Sequence, residues 1–482
     1  MTSLLSQVSR NDVRALLAAR GLTVAEAAEQ TGLTTEKLQA LHDNPRLIPE
    51  PLTIYALCMA LQVPIEAVVR HDPAVSSVRA RLGGGDGPLQ VTVCGAGNLG
   101  HVFLGRLGNH PEVRVNLLTS SEERADMLRR AMQDGVRVRS RDGEVVGRPH
   151  VVTADPARVI PGSRLVLMCL PSFCEPAVLA RIVPHLDDGA LVGSIPGPGG
   201  VHWAARRALE AAGKRATVFG LASIPWMCKL DEPGRSVRVL GTKTITGLAT
   251  ADRENAALAS DLMALLVGFP VIDIGNFLQI IFNPGNQLLH PGLMFDLFAN
   301  WDATPLPEPP LFYESATSEG AAVVAAMGEE ILAMRAAIEA ARPDFDLTAV
   351  LPVDLAIRAA YSSDIADHSS LQRILASNRA YAGIRTPMLK VDGGYVPNWG
   401  SRFFLEDIPF GLVVLRGIAE LADVRTPMID KVLTWAQERM GKRYLVDGRL
   451  SGPDVAESGA PQRHGFRTLN QLLDGEATAH AG

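Results

Sequence analysis

Residues 95–100 read Gly95-Ala96-Gly97-Asn98-Leu99-Gly100, directly behind the apolar run from Leu89 to Val93 and ahead of a helical stretch that starts near Asn98. A strand, a glycine turn and a helix in that order are the setting for a dinucleotide. Gly95 makes the tight turn, Gly97 lets a pyrophosphate reach the backbone, and Gly100 lets the helix pack close to the strand. Asn98 and Leu99 open the helix, whose free N–H groups and positive end receive the phosphates. A glycine-rich turn alone is common in α/β proteins, and its flanking elements are what make this one a cofactor site.

The group that holds the adenosine ribose is expected at the end of the second strand, about 20 residues beyond the glycines. That stretch reads Leu118-Thr119-Ser120-Ser121-Glu122-Glu123-Arg124, so the strand ends in hydroxyls rather than a carboxylate. Thr119, Ser120 and Arg124 suit a 2′-phosphate, which favours NADP(H). NAD(H) is the alternative: Thr119 and Ser120 would then only cap the next helix, with Glu122 or Glu123 on the ribose.

A second set of polar groups lies far downstream. Asn286 and His290 are four apart, on one face if the segment is helical, and Pro291 predicts a kink or helix end at His290. Taken alone, such a histidine is more often a hydrogen-bonded core residue than a catalyst. In the run from Tyr395 to Gly411, Arg402 and Asp407 interrupt an apolar sequence, and an ion pair between them is the structural alternative to a chemical role.

The elements that must position these groups follow from the patterning. Near-continuous apolar strands at Leu89–Cys94, 113–119, 164–170, 190–195 and Ala216–Leu221 alternate with helices at 122–133, 175–183 and Val201–Ala212. This predicts an α/β Rossmann domain over residues 89–275, its parallel sheet covered on both faces and extended by strands near 236–240 and 270–274. From residue 276 to 482 the spacing is helical almost throughout: 318–342 stopped by Pro343, then 354–362, 369–378, 411–421 and 428–440. An all-α substrate and catalytic domain is expected there, ending from Ser451 in a polar tail with a short helix at 468–473.

Residues 1–70 form a small all-α domain whose Thr23, Gly32 and Thr35-Glu36-Lys37-Leu38 pattern resembles the helix-turn-helix of the Cro and phage-repressor class. Six Lys/Arg against seven Asp/Glu in this stretch leave almost none of the counterion-release term that drives DNA affinity. A packing, regulatory or dimerisation module is therefore preferred to a DNA reader. Residues 71–88, with Gly83-Gly84-Gly85-Asp86-Gly87-Pro88, read as a flexible linker.

The 482 residues suggest about three domains on a prior of ~150 residues each, and 47% hydrophobic with 20% charged residues is ordinary for globular proteins. A net charge of −6 without long charge runs argues against a general polyanion binder. Five cysteines without CxxC spacing read as reduced core residues of a cytoplasmic protein, and no metal site, signal peptide or membrane span is expected.

From Leu89 to the tail the chain resembles the NAD(P)-dependent octopine/nopaline (opine) dehydrogenases. The carriers are the glycine turn, Leu170-Pro171-Ser172-Phe173, Ile195-Pro196-Gly197-Pro198-Gly199-Gly200, Ser223 to Lys229, Asn286 with His290-Pro291, and Pro397-Asn398 followed by Arg402 to Asp407 and Pro409-Phe410-Gly411. The resemblance implies reductive condensation of an α-keto acid such as pyruvate with the amino group of an amino acid, in a cleft between the two large domains. It implies His290 as proton donor and acceptor, Asp407 as its partner, and Arg402 with Asn286 as binders of the substrate. It also places Pro171, in a loop beside the nicotinamide, among the cofactor contacts. Tyr395, Trp399 and Trp226 are candidates for the amino-acid pocket. A hydroxy-acid reductase using the same histidine, and an NADP(H)-sensing transcription regulator, are the competing readings. Both the helical domain and the N-terminal unit offer surfaces for a homodimer.

Overall fold

The computed structural model describes residues 8–72, 77–82, 87–251, 253–361 and 364–477. The chain forms two compact units, one from residues 1–197, 204–280 and 477–482, the other from 198–203 and 281–476.

The main sheet of the first unit contains β1 (Leu89–Cys94), β2 (Val113–Leu118), β3 (Val152–Thr153), β4 (Leu165–Met168), β5 (Ala190–Ser194), β6 (Ala216–Leu221), β7 (Thr246–Thr250) and β8 (Val271–Gly275). Their order is β8-β7-β6-β5-β4-β1-β2-β3, parallel except that β7 runs antiparallel to β6. β1 to β6 are thus in the Rossmann order, with the reversal of strand order between β1 and β4, where such sheets bind ligands outside their carboxyl ends. The strands are apolar throughout because both faces are covered: Val91, Val93, Leu165, Leu167 and Leu191 are fully buried.

The stretch expected to extend this sheet near residue 236 instead lies in a second sheet. There Trp226–Glu232, Ser236–Thr242, Val136–Ser140 and Gly143–Gly147 pair in that order. Val237 and Val239 are buried while Arg238 and Leu240 are exposed, the alternation of a sheet with one face in water. Helix Asn98–Leu107 packs on the inner face of this sheet as well as against β1.

The N-terminal helices Val13–Arg20, Val24–Thr31, Thr35–Asp43 and Pro51–Leu61 bury Leu17, Leu38 and Leu57 in a core that includes Ile272 of β8. They therefore belong to the same unit as the sheet. The 71–88 stretch is not a plain linker either: Ser77 caps a short helix, Val78–Arg81, Val78 is buried, and Arg81 pairs with the buried Asp261 at 2.8 Å. Gly83 to Asp86 of the glycine run lie outside the described residues.

Among the described residues the second unit is helical apart from one hairpin, Met388–Val391 with Gly394–Pro397. Its helices Asn286–Phe298, Ser318–Ala341, Val353–Tyr361, Leu371–Ser377, Val413–Leu421 and Pro427–Met440 surround a core containing Met327, Met334, Leu415 and Val432. The stretch after Ser451 is not a loose polar tail: Val455, Ala460, Leu472 and Leu473 are buried and the last helix is Leu469–Ala477. Near its end the buried Glu476 carboxylate accepts from Trp203 Nε1 at 2.8 Å and meets His202 Nε2 at 2.5 Å.

Candidate active site

In the first unit the three glycines of the turn differ in what surrounds them. Gly95 has φ +106°, and a Cβ there would lie 2.6 Å from Leu170 Cδ2 and 2.8 Å from the Cys169 carbonyl, across the gap between β1 and β4. At Gly97 a Cβ would meet nothing within 4 Å, whereas at Gly100 it would lie 2.0 Å from the Gly95 carbonyl oxygen. The turn is therefore tight on its protein side and open at Gly97, the shape that accepts a pyrophosphate.

Helix Asn98–Leu107 starts there, and its first N–H groups have no partner within the helix. The Asn98 and Leu99 side chains are otherwise engaged. Asn98 Oδ1 accepts from the Leu230 N–H at 3.0 Å, and Leu99 is in the core, so what these residues offer a phosphate is backbone. His101 in the first turn was not singled out by sequence. It is fully buried, its Nδ1 is 2.8 Å from the Gly97 carbonyl, and its Nε2 accepts from the Gly234 N–H at 2.8 Å. Nδ1 must then carry the proton, and burial lowers the tendency of the ring to take a second one.

At the end of β2, Thr119 is buried and its hydroxyl donates to the Ser121 carbonyl at 2.9 Å, which commits its proton within the turn. The cap of helix Glu122–Ala131 is Ser121, accepting from the Arg124 N–H at 3.2 Å. Glu122 accepts from Thr153 Oγ1 and the Ala154 N–H, both at 2.7 Å, so its carboxylate is also committed. Ser120 and Arg124 remain exposed. Pro171 is half-buried in the loop after β4, on the far side of the strand-order reversal from Gly95.

In the second unit Asn286 begins a helix that runs to Phe298, so Asn286 and His290 do share a face. Pro291 neither ends this helix nor marks its boundary. Leu288 to Met294 are all buried, and that packing outweighs the one backbone hydrogen bond the proline removes. Asp407 sits before a π-helical turn, Ile408–Leu412, which leads into helix Val413–Leu421. Gly411 keeps this turn close to the first helix, since a Cβ there would be 2.6 Å from Gln287 Cβ.

The two elements bring His290 Nδ1 to 2.8 Å from Asp407 Oδ2. On the other side of the ring His290 Nε2 is 3.1 Å from the Tyr313 hydroxyl. Phe403 stacks on the imidazole with centroids 3.6 Å apart and planes 10° from parallel, and Phe312 meets it edge-on at 5.6 Å. With Asp407 ionised the proton is on Nδ1, and Nε2 takes the phenol O–H. Burial pushes the Asp407 carboxyl up, and the His290 ring beside it pulls the other way.

Arg402 is exposed and does not pair with Asp407. Its Nε donates to Glu406 Oε2 at 2.9 Å, one turn along. The structural alternative of an Arg402–Asp407 ion pair is thus not formed: Arg402 pairs with Glu406, and Asp407 with the histidine. Asn286 is exposed at the helix start. Trp226 is fully buried against Phe103, with Arg106 over its ring. Trp399 packs edge-on against Phe298, Phe404 and Trp435, and Tyr395 is half-buried in the hairpin. Tyr313 was not picked out by sequence, and Phe403 and Glu406 were given no role beyond membership of the 402–407 motif. Only the four-residue spacing of Arg402 and Glu406 carried a signal. Among the described residues no cluster of His, Cys, Asp and Glu could hold a metal ion, and no helix is long and apolar enough to cross a membrane.

Known proteins match both units of this chain. The profile of the NAD/NADP octopine/nopaline dehydrogenase α-helical domain matches residues 273–440, and that of ketopantoate reductase PanE/ApbA matches residues 91–248. An octopine dehydrogenase of Mizuhopecten yessoensis is 35% identical over 80% of this chain and 99% of its own length. A tauropine dehydrogenase of Arabella iricolor is 33% identical over 80% and 99%. A solved octopine dehydrogenase with NADH and L-arginine superposes with a TM-score of 0.74 at 32% identity, covering 82% of this chain and 100% of that one.

Proposed function

Since the chain belongs to the octopine/nopaline dehydrogenase family and is a nicotinamide-dependent oxidoreductase acting on CH–NH groups, we propose that it joins an α-keto acid to the amino group of an amino acid by reducing the imine between them. The observation that carries this reading is the His290–Asp407 pair, a buried imidazole held at Nδ1 by a carboxylate, with a guanidinium in the same short segment as Asp407.

The groups present fit a dinucleotide. The open face of Gly97 and the N–H groups of Asn98, Leu99 and Gly100 would hold its pyrophosphate, and Gly95 and Pro171 flank the gap in which it lies. NADP(H) is the preferred form, because Glu122 is committed to Thr153 and Ala154 while Ser120 and Arg124 stay exposed. The bound cofactor supplies the hydride that reduces the imine carbon.

The protein's part is proton management and orientation. His290 supplies the proton with which the carbinolamine oxygen leaves as water, and takes a proton back in the oxidative direction. Asp407 stabilises the imidazolium and fixes its tautomer. Arg402 meets the keto-acid carboxylate on the edge of the guanidinium not held by Glu406, and Asn286 lies one turn before the histidine. The free cysteines suit a reducing, cytoplasmic setting.

The N-terminal helices read as a packing module. Val24–Thr31 and Thr35–Asp43 are joined through a turn at Gly32, as in a helix-turn-helix, yet Lys37 of the second helix pairs with Glu50 and Gln39 donates to Asp43. Side chains that would read DNA are spent inside the unit.

The test is turnover of NADPH or NADH with pyruvate, with and without L-arginine, taurine, alanine and other amines, followed by mass analysis of the product. A secondary amine containing both substrates is expected. Cofactor oxidation that ignores the amine, giving the hydroxy acid, would overturn the reading.

A further inference from the structure

His290 has no ring nitrogen left for a substrate. Nδ1 is held by Asp407 at 2.8 Å, Nε2 by Tyr313 at 3.1 Å, one face is covered by Phe403 and an edge by Phe312. Asp407 holds the Nδ1 side of the ring, so a proton leaving Nε2 passes to the Tyr313 hydroxyl. Given the acid–base role proposed above for His290, we propose that Tyr313 is the terminal catalytic acid and base of this site, standing between Nε2 and the substrate oxygen.

The position of Tyr313 is fixed by its own surroundings. Its neighbour Phe312 donates its N–H to the Ile384 carbonyl at 2.7 Å, and the phenol ring stacks on Tyr381 with centroids 4.2 Å apart, Tyr381 in turn meeting Tyr361 edge-on. The phenol is 4% exposed, and burial holds it neutral far above the usual tyrosine range. The phenol keeps its own proton, and passing that proton on goes together with taking another from Nε2, 3.1 Å away.

The balance is as follows. With His290 protonated, the Nε2 proton passes to the phenol oxygen while the phenol proton passes to the carbinolamine oxygen. The C–O bond breaks with its electron pair on oxygen, water leaves, and the nitrogen lone pair completes the C=N bond. His290 is left neutral with its proton on Nδ1, and Tyr313 has exchanged one proton for another. The oxidative direction reverses each transfer.

The test is Tyr313→Phe, which keeps the ring and its stacking, assayed by single turnover with NADPH, pyruvate and the fastest amine of the panel. A loss of about 100-fold or more in rate is expected, the range of general acid–base catalysis, with NADPH affinity unchanged within about twofold. The wild-type rate measured across H₂O/D₂O mixtures should curve, because two protons move in one step. A Tyr313→Phe rate within about threefold of wild type would overturn the relay, and so would a linear dependence on deuterium fraction. If the variant is misfolded by its melting temperature, the wild-type isotope curve decides alone. His290→Asn separates the two readings. If it stays active, the acid–base assignment of His290 fails; if it is inactive while Tyr313→Phe is fully active, only the relay fails.

Discussion

Replacing Asp407 by asparagine removes one charge and almost no volume from the centre of the second unit. The carboxylate lies 2.8 Å from His290 Nδ1 in a site where both side chains are largely buried. Breaking a buried charged pair of this kind costs roughly 3–5 kcal/mol, because the imidazolium is left without its counter-charge. Transition-state arithmetic converts this to a loss of ~10² to 10⁴ in the chemical step. The smaller loss applies if the amide turns its oxygen to Nδ1 and preserves the tautomer. The larger applies if it donates N–H to Nδ1, which drives the proton to Nε2 and against Tyr313. Cofactor affinity should not change, since the dinucleotide turn is in the other unit. Single-turnover absorbance of the nicotinamide reads the rate. A rate within about tenfold of wild type would refute the dyad as the source of catalysis.

Gly97→Ala should leave the melting temperature unchanged yet weaken cofactor binding by about tenfold or more, since the methyl group enters the space a pyrophosphate needs. Gly100→Ala should instead destabilise the fold by about 3 kcal/mol, its Cβ falling 2.0 Å from a carbonyl oxygen; titration calorimetry and thermal unfolding distinguish the two. Arg124→Ala should raise the KM for NADPH about tenfold and spare that for NADH, the loss of one charge-assisted contact, and equal effects on both cofactors would reverse the NADP(H) preference. His101 is held neutral by burial, so its folded pKa lies below the unfolded value of about 6.5. Between those values the unfolded chain binds more protons; the stabilisation is complete above about pH 6.5 and is lost as pH falls through the folded pKa. His101→Gln should flatten this acid-side loss in melting temperature, and an unchanged slope would show that other groups cause it.

The parts of the fold legible in the sequence are those where burial is total or one-sided in a regular way. β1 and β6 match their expected bounds because strands covered on both faces are unbroken apolar runs. The second sheet was missed because Val237 and Val239 alternate with polar and exposed positions in a strand that pairs with Val136–Ser140, about a hundred residues earlier in the chain. Pro291 misled because a local rule about proline was set against a helix buried on nearly every side. At the site, His290 and Asp407 stand out as polar residues in apolar runs, and the structure brings them together. The alternative of an Arg402–Asp407 ion pair fails because Glu406, one helical turn from Arg402, takes the guanidinium. Tyr313 gave no signal, since the 305–316 stretch has no period and only the tertiary fold carries it to Nε2.

The clasp of Glu476 on His202 and Trp203 joins residues more than 270 positions apart, and both ends belong to the helical unit. That unit is not a contiguous stretch of gene. A fragment of residues 281–476 made alone would bury the Glu476 carboxylate with neither the indole nor the imidazole to receive it. During synthesis residues 198–203 emerge long before their partner, so the helical unit can close only once residue 476 has been made. A circular permutant that opens the chain within 281–476 would change that order of events without touching the site, and its refolding rate would show how far the last helix governs assembly.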